Sequence, residues 1–443
     1  MAEESLTYQR IDQDVLKTLE RPGKKYFILL GGVLAVFLVG LAAFINQVRM
    51  GLGMAGYTHP VMWAVYITDF VFWVGIAHCG TLISAILFLF RARFRRAVYR
   101  TSEAMTVFAV MTAGLFPLIH LGRIWNFYWL FPYPNQRQLW VNFKSPLIWD
   151  VFAVSTYFTV SATFFIVGLI PDIAVARDHA KNRFRKTLYT ILSLGWRGTD
   201  QEWRHYYKAY LFFAALATPL VLSVHSVVSW DFAVSIVPGW HTTIFAPYFV
   251  AGAIFSGVGM VITLLIPLRK AFHLEKYITV EYHLDRLAKL VLLTSGIVTY
   301  AYGCEFFLSW YSGNPIEKEA FFNRAFGDFW WATWIMITCN CFIPPLLFIK
   351  KVRHNIKALF IISIFVNIGM WFERFVIIVI SLSHEYIPYA WGSYKISPTE
   401  IAITAGSFAW FFLWFLLFVK LLPSVSMTEM KELVKPPKRM GQS

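Results

Sequence analysis

Residues 26–46 read YFILLGGVLAVFLVGLAAFIN, a stretch without a single charged side chain. As a helix rising about 1.5 Å per residue it covers roughly 30 Å, the thickness of a bilayer's hydrocarbon core. Further runs of this kind follow at residues 61–90, 102–121, 146–170, 207–228, 243–267, 285–310, 328–349, 356–382 and 398–421. Backbone groups in lipid must bond internally, and no alternating apolar–polar strand pattern occurs, so the expected fold is all-α and membrane-integral, with ten transmembrane helices. Composition agrees: 58% of the 443 residues are hydrophobic, 15% are charged, and mean hydropathy is +0.55. Such a chain cannot cover itself with polar surface, which excludes a soluble enzyme and also excludes disorder.

The formal net charge of +15 raises the question of a nucleic-acid partner. Of the 40 Lys and Arg residues, 32 fall in the segments on the side of the termini, 7 in the opposite loops, and Arg374 inside a span. This bias is a topology signal: both termini are expected in the cytoplasm, with contacts to lipid and none to nucleic acid. Residues 1–25 form a polar N-terminal segment with no visible signal peptide, residues 26–421 the membrane domain, and residues 422–443 a C-terminal tail. Two four-helix bundles, roughly residues 61–228 and 243–382, with the first and tenth helices peripheral, are the expected internal organisation. The basic loop 171–206 reads as an amphipathic segment on anionic lipid. The opposite loop 123–140 is dense in aromatics (Trp125, Phe127, Tyr128, Trp129, Phe131, Tyr133, Trp140), which suits an interfacial belt and the docking of an external partner. Cys79, Cys304, Cys339 and Cys341 form no C-x-x-C pair, so neither a disulfide framework nor a metal site is expected.

Ionisable side chains inside apolar spans are costly and mark function. Here they are Asp69, His78, His120, Asp150, His225, Glu305, Glu373 and Arg374, with Asp231 just past the fifth span. On the expected topology they gather on the side opposite the termini; only His78 lies past mid-membrane, with no partner at its own depth. Glu373 and Arg374, about 100° apart on one helix, read as members of an interhelical ion pair.

His120 and Asp150 flank one loop at matched depth. A quinol loses two protons with two electrons, and a histidine with a neighbouring carboxylate suits the binding and acceptance of those protons. The ring and tail need an apolar, aromatic cleft, such as Phe116, Trp125, Phe127 and Trp149 offer. Haem ligation by paired histidines and a secondary transporter using Asp69, Glu373 and Arg374 are competing readings.

The stretches GLFPLIHLGR (114–123), SPLIWD (145–150), SVHSVVSWD (223–231), PGWH (238–241) with APYFVAG (246–252), and WYSGNP (310–315) resemble the NrfD-like, polysulfide-reductase-type membrane subunits, most narrowly the ActC type of alternative complex III. The resemblance implies two four-helix bundles and peripheral helices with no haem or iron–sulfur cluster on this chain. It implies oxidation of menaquinol or ubiquinol beneath a periplasmic iron–sulfur (ActB-like) subunit. It further implies c-type haem subunits and a second, ActF-like membrane subunit as partners in the inner membrane of a respiratory or photosynthetic bacterium. His120 and Asp150 match the family's proton-accepting pair; Gly80, Arg123, Asp231 and Arg374 match further quinol-pocket positions. Coupled proton translocation is expected to use Asp69, His78, Glu305 and Glu373. A structural or proton-conducting ActF-like subunit without a quinol site remains the alternative.

Overall fold

The computed structural model describes residues 7–131, 143–432 and 434. Among them are ten helices long and apolar enough to cross a membrane: α1 (Lys24–Met50), α2 (Val65–Leu89), α3 (Tyr99–His120), α4 (Pro146–Asp178), α5 (Asp200–Ala233), α6 (Phe245–Ala271), α7 (Val280–Tyr311), α8 (Trp330–Phe348), α9 (Ile356–Ser383) and α10 (Pro398–Leu421). The chain is a multi-pass membrane protein. Helices α2 to α5 pack as one group and α6 to α9 as another, with α2 against α6 at the centre. Helices α1 and α10 pair with each other, and α10 also packs on α2 and α3. The α1–α10 crossing is close because two glycines meet: a Cβ built on Gly40 would lie 2.6 Å from Gly406 Cα. Small residues let helices approach in lipid, where no hydrophobic force drives them together.

Sequence and structure differ most on the side of the termini. Helix α4 runs through Pro171 to Asp178, and α5 starts at Asp200 behind a capping box of Thr199 and Glu202. Only a short helix, Arg183–Leu192, separates them. The terminal helices Tyr8–Thr18 and Met427–Lys431 touch each other, so both ends of the described chain lie on one side. Beneath them is a buried ionic cluster. Arg95 pairs with Glu429 at 2.7 Å, and Arg100 with Glu103 at 3.2 Å and Asp172 at 3.1 Å. The expectation that buried charges collect only opposite the termini is therefore corrected. The extension of α4 and the fold-back of the C-terminal segment enclose groups that a span-by-span reading leaves in headgroups or water.

Candidate functional site

On the side opposite the termini, three helix ends carry the expected chemistry. Helix α3 breaks at Gly114, since Pro117 has no N–H to give to the preceding turn, and restarts as Leu115–His120. His120 thus occupies a last helical turn, and its Nδ1 lies 3.0 Å from the Tyr57 hydroxyl. The Tyr57 ring stands edge-on to the imidazole, 5.5 Å between centroids, and edge-on to Tyr66. Tyr66 donates to Gln47 Oε1, and Gln47 Nε2 donates to the Ile119 carbonyl at 3.3 Å. Burial, with Tyr66, Glu400 and Asp69 adding to it, pushes the Tyr57 phenol up, so it stays protonated. Helix α1 therefore contributes a fully buried glutamine that props up the histidine's segment. Gln47, Tyr57 and Tyr66 escape a sequence reading that counts only ionisable groups in spans.

Helix α4 begins with Pro146, whose fixed φ suits a first helical position, and this sets Asp150 one turn in. Asp231 lies in the last turn of α5, inside the helix rather than beyond it. Trp149 and Trp230 pack edge to face at 5.9 Å, and the carboxyls next to them, Asp150 and Asp231, are close neighbours, with Asp150 Oδ1 and Asp231 Oδ1 both buried and without a hydrogen-bond partner. No hydrogen bond joins His120 to Asp150: the imidazole turns to Tyr57 and the carboxyl to Asp231.

The other expected residues divide into groups. His78 has a partner after all, since its ring lies 4.6 Å from that of His225 and stacks on Tyr157 at 4.9 Å. Helix α5 continues to Ala233, which makes His225 deeper than its expected place at a span end. The two rings touch each other and do not flank a space. Glu373 and Arg374 pair with each other, not across helices; Tyr302 also donates to Glu373. The Arg374 guanidinium lies 4.6 Å over Phe249, whose ring contacts Phe232 and His225.

Glu305 faces Arg324 at 3.8 Å, and one of its oxygens has no hydrogen-bond partner. Burial lowers the Arg324 guanidinium below its usual range, opposed by Glu305. Asp69 accepts from Trp371 at 2.7 Å and Thr404 at 2.6 Å, tying α2 to α9 and α10.

Of the further expected quinol contacts, Gly80 is corrected and Arg123 stands apart from the buried groups. Gly80 serves helix packing: a Cβ there would lie 2.1 Å from the Ser102 carbonyl and 2.0 Å from Thr106 Oγ1. It is also fifteen residues along α2 from Val65, about 22 Å at 1.5 Å per residue, far from the His120 end. Arg123 is exposed at the surface. Around it Trp125, Phe127, Tyr128, Trp129 and Phe131 are exposed, while Tyr133 and Trp140 lie outside the described residues.

Comparison with known proteins bears on this arrangement. Residues 53–384, which hold α2 to α9, match the family model described as polysulphide reductase, NrfD. The chain is 29% identical over 256 residues to a protein of Halobacterium salinarum named as a membrane subunit of dimethyl sulfoxide reductase, covering 56% of this chain and 54% of that one. It is 21% identical to a selenate reductase subunit of Mesobacillus selenatarsenatis, over 80% of this chain and 82% of the relative. It is also 21% identical to the Hdr-like menaquinol oxidoreductase integral membrane subunit of Archaeoglobus fulgidus, over 84% of each. The match thus spans about half the length of the halobacterial relative and over four fifths of the other two. With its ten membrane helices and three quarters of its length inside one family model, the chain belongs to the NrfD, or polysulphide reductase, family of integral membrane proteins.

Proposed function

We propose that this chain is the quinol-binding membrane subunit of an electron-transfer complex of the alternative complex III type. It oxidises quinol at the outer face of a bacterial cell membrane and passes electrons to an iron–sulfur subunit docked there. The observation that carries the reading is on one side of the α2–α5 group, where an imidazole held by a tyrosine ends α3 and two neighbouring carboxyls, each with a buried unpartnered oxygen, stand near the ends of α4 and α5. A menaquinol oxidoreductase subunit among the relatives supports menaquinol as the substrate. The charge bias supports an outer location for this end, with both termini in the cytoplasm. The exposed aromatics after His120 suit docking of the electron-accepting subunit. Bundles at residues 61–228 and 243–382 are the functional units of this reading, the first holding the quinol.

The chemistry balances on these groups. A quinol hydroxyl donates to His120 Nε2 while Nδ1–H donates to Tyr57, and the second hydroxyl donates to the Asp150–Asp231 pair. As two electrons leave, one by one, for the partner's clusters, one proton passes to the imidazole and one to the carboxyls, and both exit to the outside. Positioned general bases contribute about a hundredfold or more each. His120→Ala and Asp150→Asn in the assembled complex are thus expected to lower quinol turnover by at least that factor. Turnover near wild type in both would overturn the reading and leave a structural, ActF-like subunit.

One observation favours coupled proton movement as well. Glu305 lines both a cavity of about 180 Å³ next to His241 and Glu317 and a small buried one that reaches Tyr302, the donor to Glu373. If this is a proton route, Glu305→Gln lowers the protons released per electron; an unchanged ratio removes it.

A further inference from the structure

Beside the candidate site, helices α1, α3 and α10 enclose a groove of about 320 Å³ that is almost entirely apolar. Phe37, Leu41 and Phe44 of α1 form one wall, Leu115 and Ile119 of α3 the second, and Ile403 of α10 the third. Its polar exceptions are Ser407, already engaged in accepting from Trp73 and donating to the Thr404 carbonyl, and the Trp410 indole N–H, so the groove offers a polar headgroup no charge and a single free donor. Leu41 and Leu115 are exposed, which opens the groove sideways to lipid.

We propose that this groove holds the polyprenyl tail of the quinol whose ring lies at His120. The inference rests on the proposed head site and adds where the tail lies and by which side it enters. Three observations select this occupant over a bilayer lipid or a partner's helix. First, the groove's α3 wall is the turn that ends in His120, and Ile124, just past it, also lines the groove. A chain lying there runs along the turn that carries the imidazole, although His120 itself does not line the groove. Second, Phe116 lies four residues before His120, on the same helical face; it is buried, lines the groove and contacts Tyr66. Tyr66 in turn packs on Tyr57, the partner of His120. One aromatic surface thus runs from groove to head site. Third, α1 and α10 close on each other at Gly40 and Gly406 along the bottom of the groove, and the Phe37 and Trp410 rings, 5.5 Å apart, line its end toward the termini, so it is a pocket with a floor and not a continuous helix-docking stripe. Helices α1 and α10 lie outside the stretch that matches the family model, so this tail site is an addition to the common core.

Tail and head contributions separate experimentally. Leu41→Trp and Leu115→Trp enlarge rim residues that already face lipid, so the fold has room for both. In the assembled complex, kcat/KM is measured with a polyprenyl naphthoquinol and with a tail-less naphthoquinol. Excluding one or two methylene groups from apolar contact costs about tenfold in affinity. The ratio of tailed to tail-less kcat/KM is therefore expected to fall about tenfold in each variant. A ratio equal to wild type in both overturns the proposal, and it means that lipid or a partner helix fills the groove. As a second measurement, a quinone with a photoreactive group in its tail should crosslink to peptides of α1 or α10; crosslinks solely elsewhere overturn it. Failure of the head site would show differently, as survival of turnover with both quinols in His120→Ala.

Discussion

Replacing Tyr57 by Phe removes one oxygen and leaves the rest of the His120 surroundings in place. The ring still meets the imidazole edge-on at 5.5 Å and Tyr66 at 5.8 Å, so packing is conserved. What disappears is the 3.0 Å contact to Nδ1. In the resting state this is a neutral hydrogen bond, worth about 1 kcal/mol net. Once His120 has taken a quinol proton it becomes a bond from a charged donor, worth about 1.5–3 kcal/mol. The difference, about 0.5–2 kcal/mol, is felt in the transition state and corresponds to about 2- to 30-fold in rate. Tyr57 is half-buried, so water replaces part of the lost oxygen and the expectation sits below the upper end, about fivefold in kcat/KM. The assay is steady-state quinol oxidation by the assembled complex, normalised to complex content. Tyr57→Ala, which also removes the ring, should lose more than Tyr57→Phe. Turnover of Tyr57→Phe within twofold of wild type would refute the argument that this phenol orients the imidazole.

Further consequences follow from the packing. In Gly80→Ala a methyl group 2.1 Å from the Ser102 carbonyl must push α2 and α3 apart. A loss of about 1–3 kcal/mol is expected, seen as a lower melting midpoint with KM for quinol unaltered; a changed KM would return Gly80 to the quinol pocket. Glu429→Gln leaves the buried Arg95 without its counter-charge, at about 3–5 kcal/mol, so the yield of folded protein should fall sharply. An undiminished melting midpoint would show that this pair is solvated. Asp69→Asn loses one of the two acceptors used by Trp371 and Thr404 and should destabilise the junction of α2, α9 and α10 by about 1–3 kcal/mol. Proton release per electron stays constant in that variant if Asp69 is an anchor and falls if it is a relay.

Particular residues show where sequence reading reaches its limit. The spans are legible to within a few residues at most ends, and α10 is found at its expected limits, because lipid imposes a minimum apolar length on each helix. Helix α5 is the instructive exception. Its polar first turns and its Trp230-Asp231 end do not read as apolar, yet they are helical, and this moves His225 from a surface position to contact with His78. The His120–Asp150 pair is visible in the sequence as two ionisable groups flanking one loop. Their partners, Tyr57 and Asp231, are not, because the first contact joins residues 63 positions apart and the second is set by rotation about helix axes.

By itself the sequence determined the number of crossings, that the termini share one side, and which polar groups had to be sheltered from lipid. Those properties depend on local composition, since the transfer cost of each segment is nearly independent of its neighbours. Only the tertiary structure decided which sheltered groups meet. It set Asp231 against Asp150, Tyr57 against His120 and Glu373 against its neighbour Arg374, and it enclosed the Arg95–Glu429 cluster beneath the terminal helices. The physical reason is that hydrogen bonds and ion pairs act over a few ångströms, so they depend on how each helix is rotated and how far it extends. Packing against distant parts of the chain fixes both.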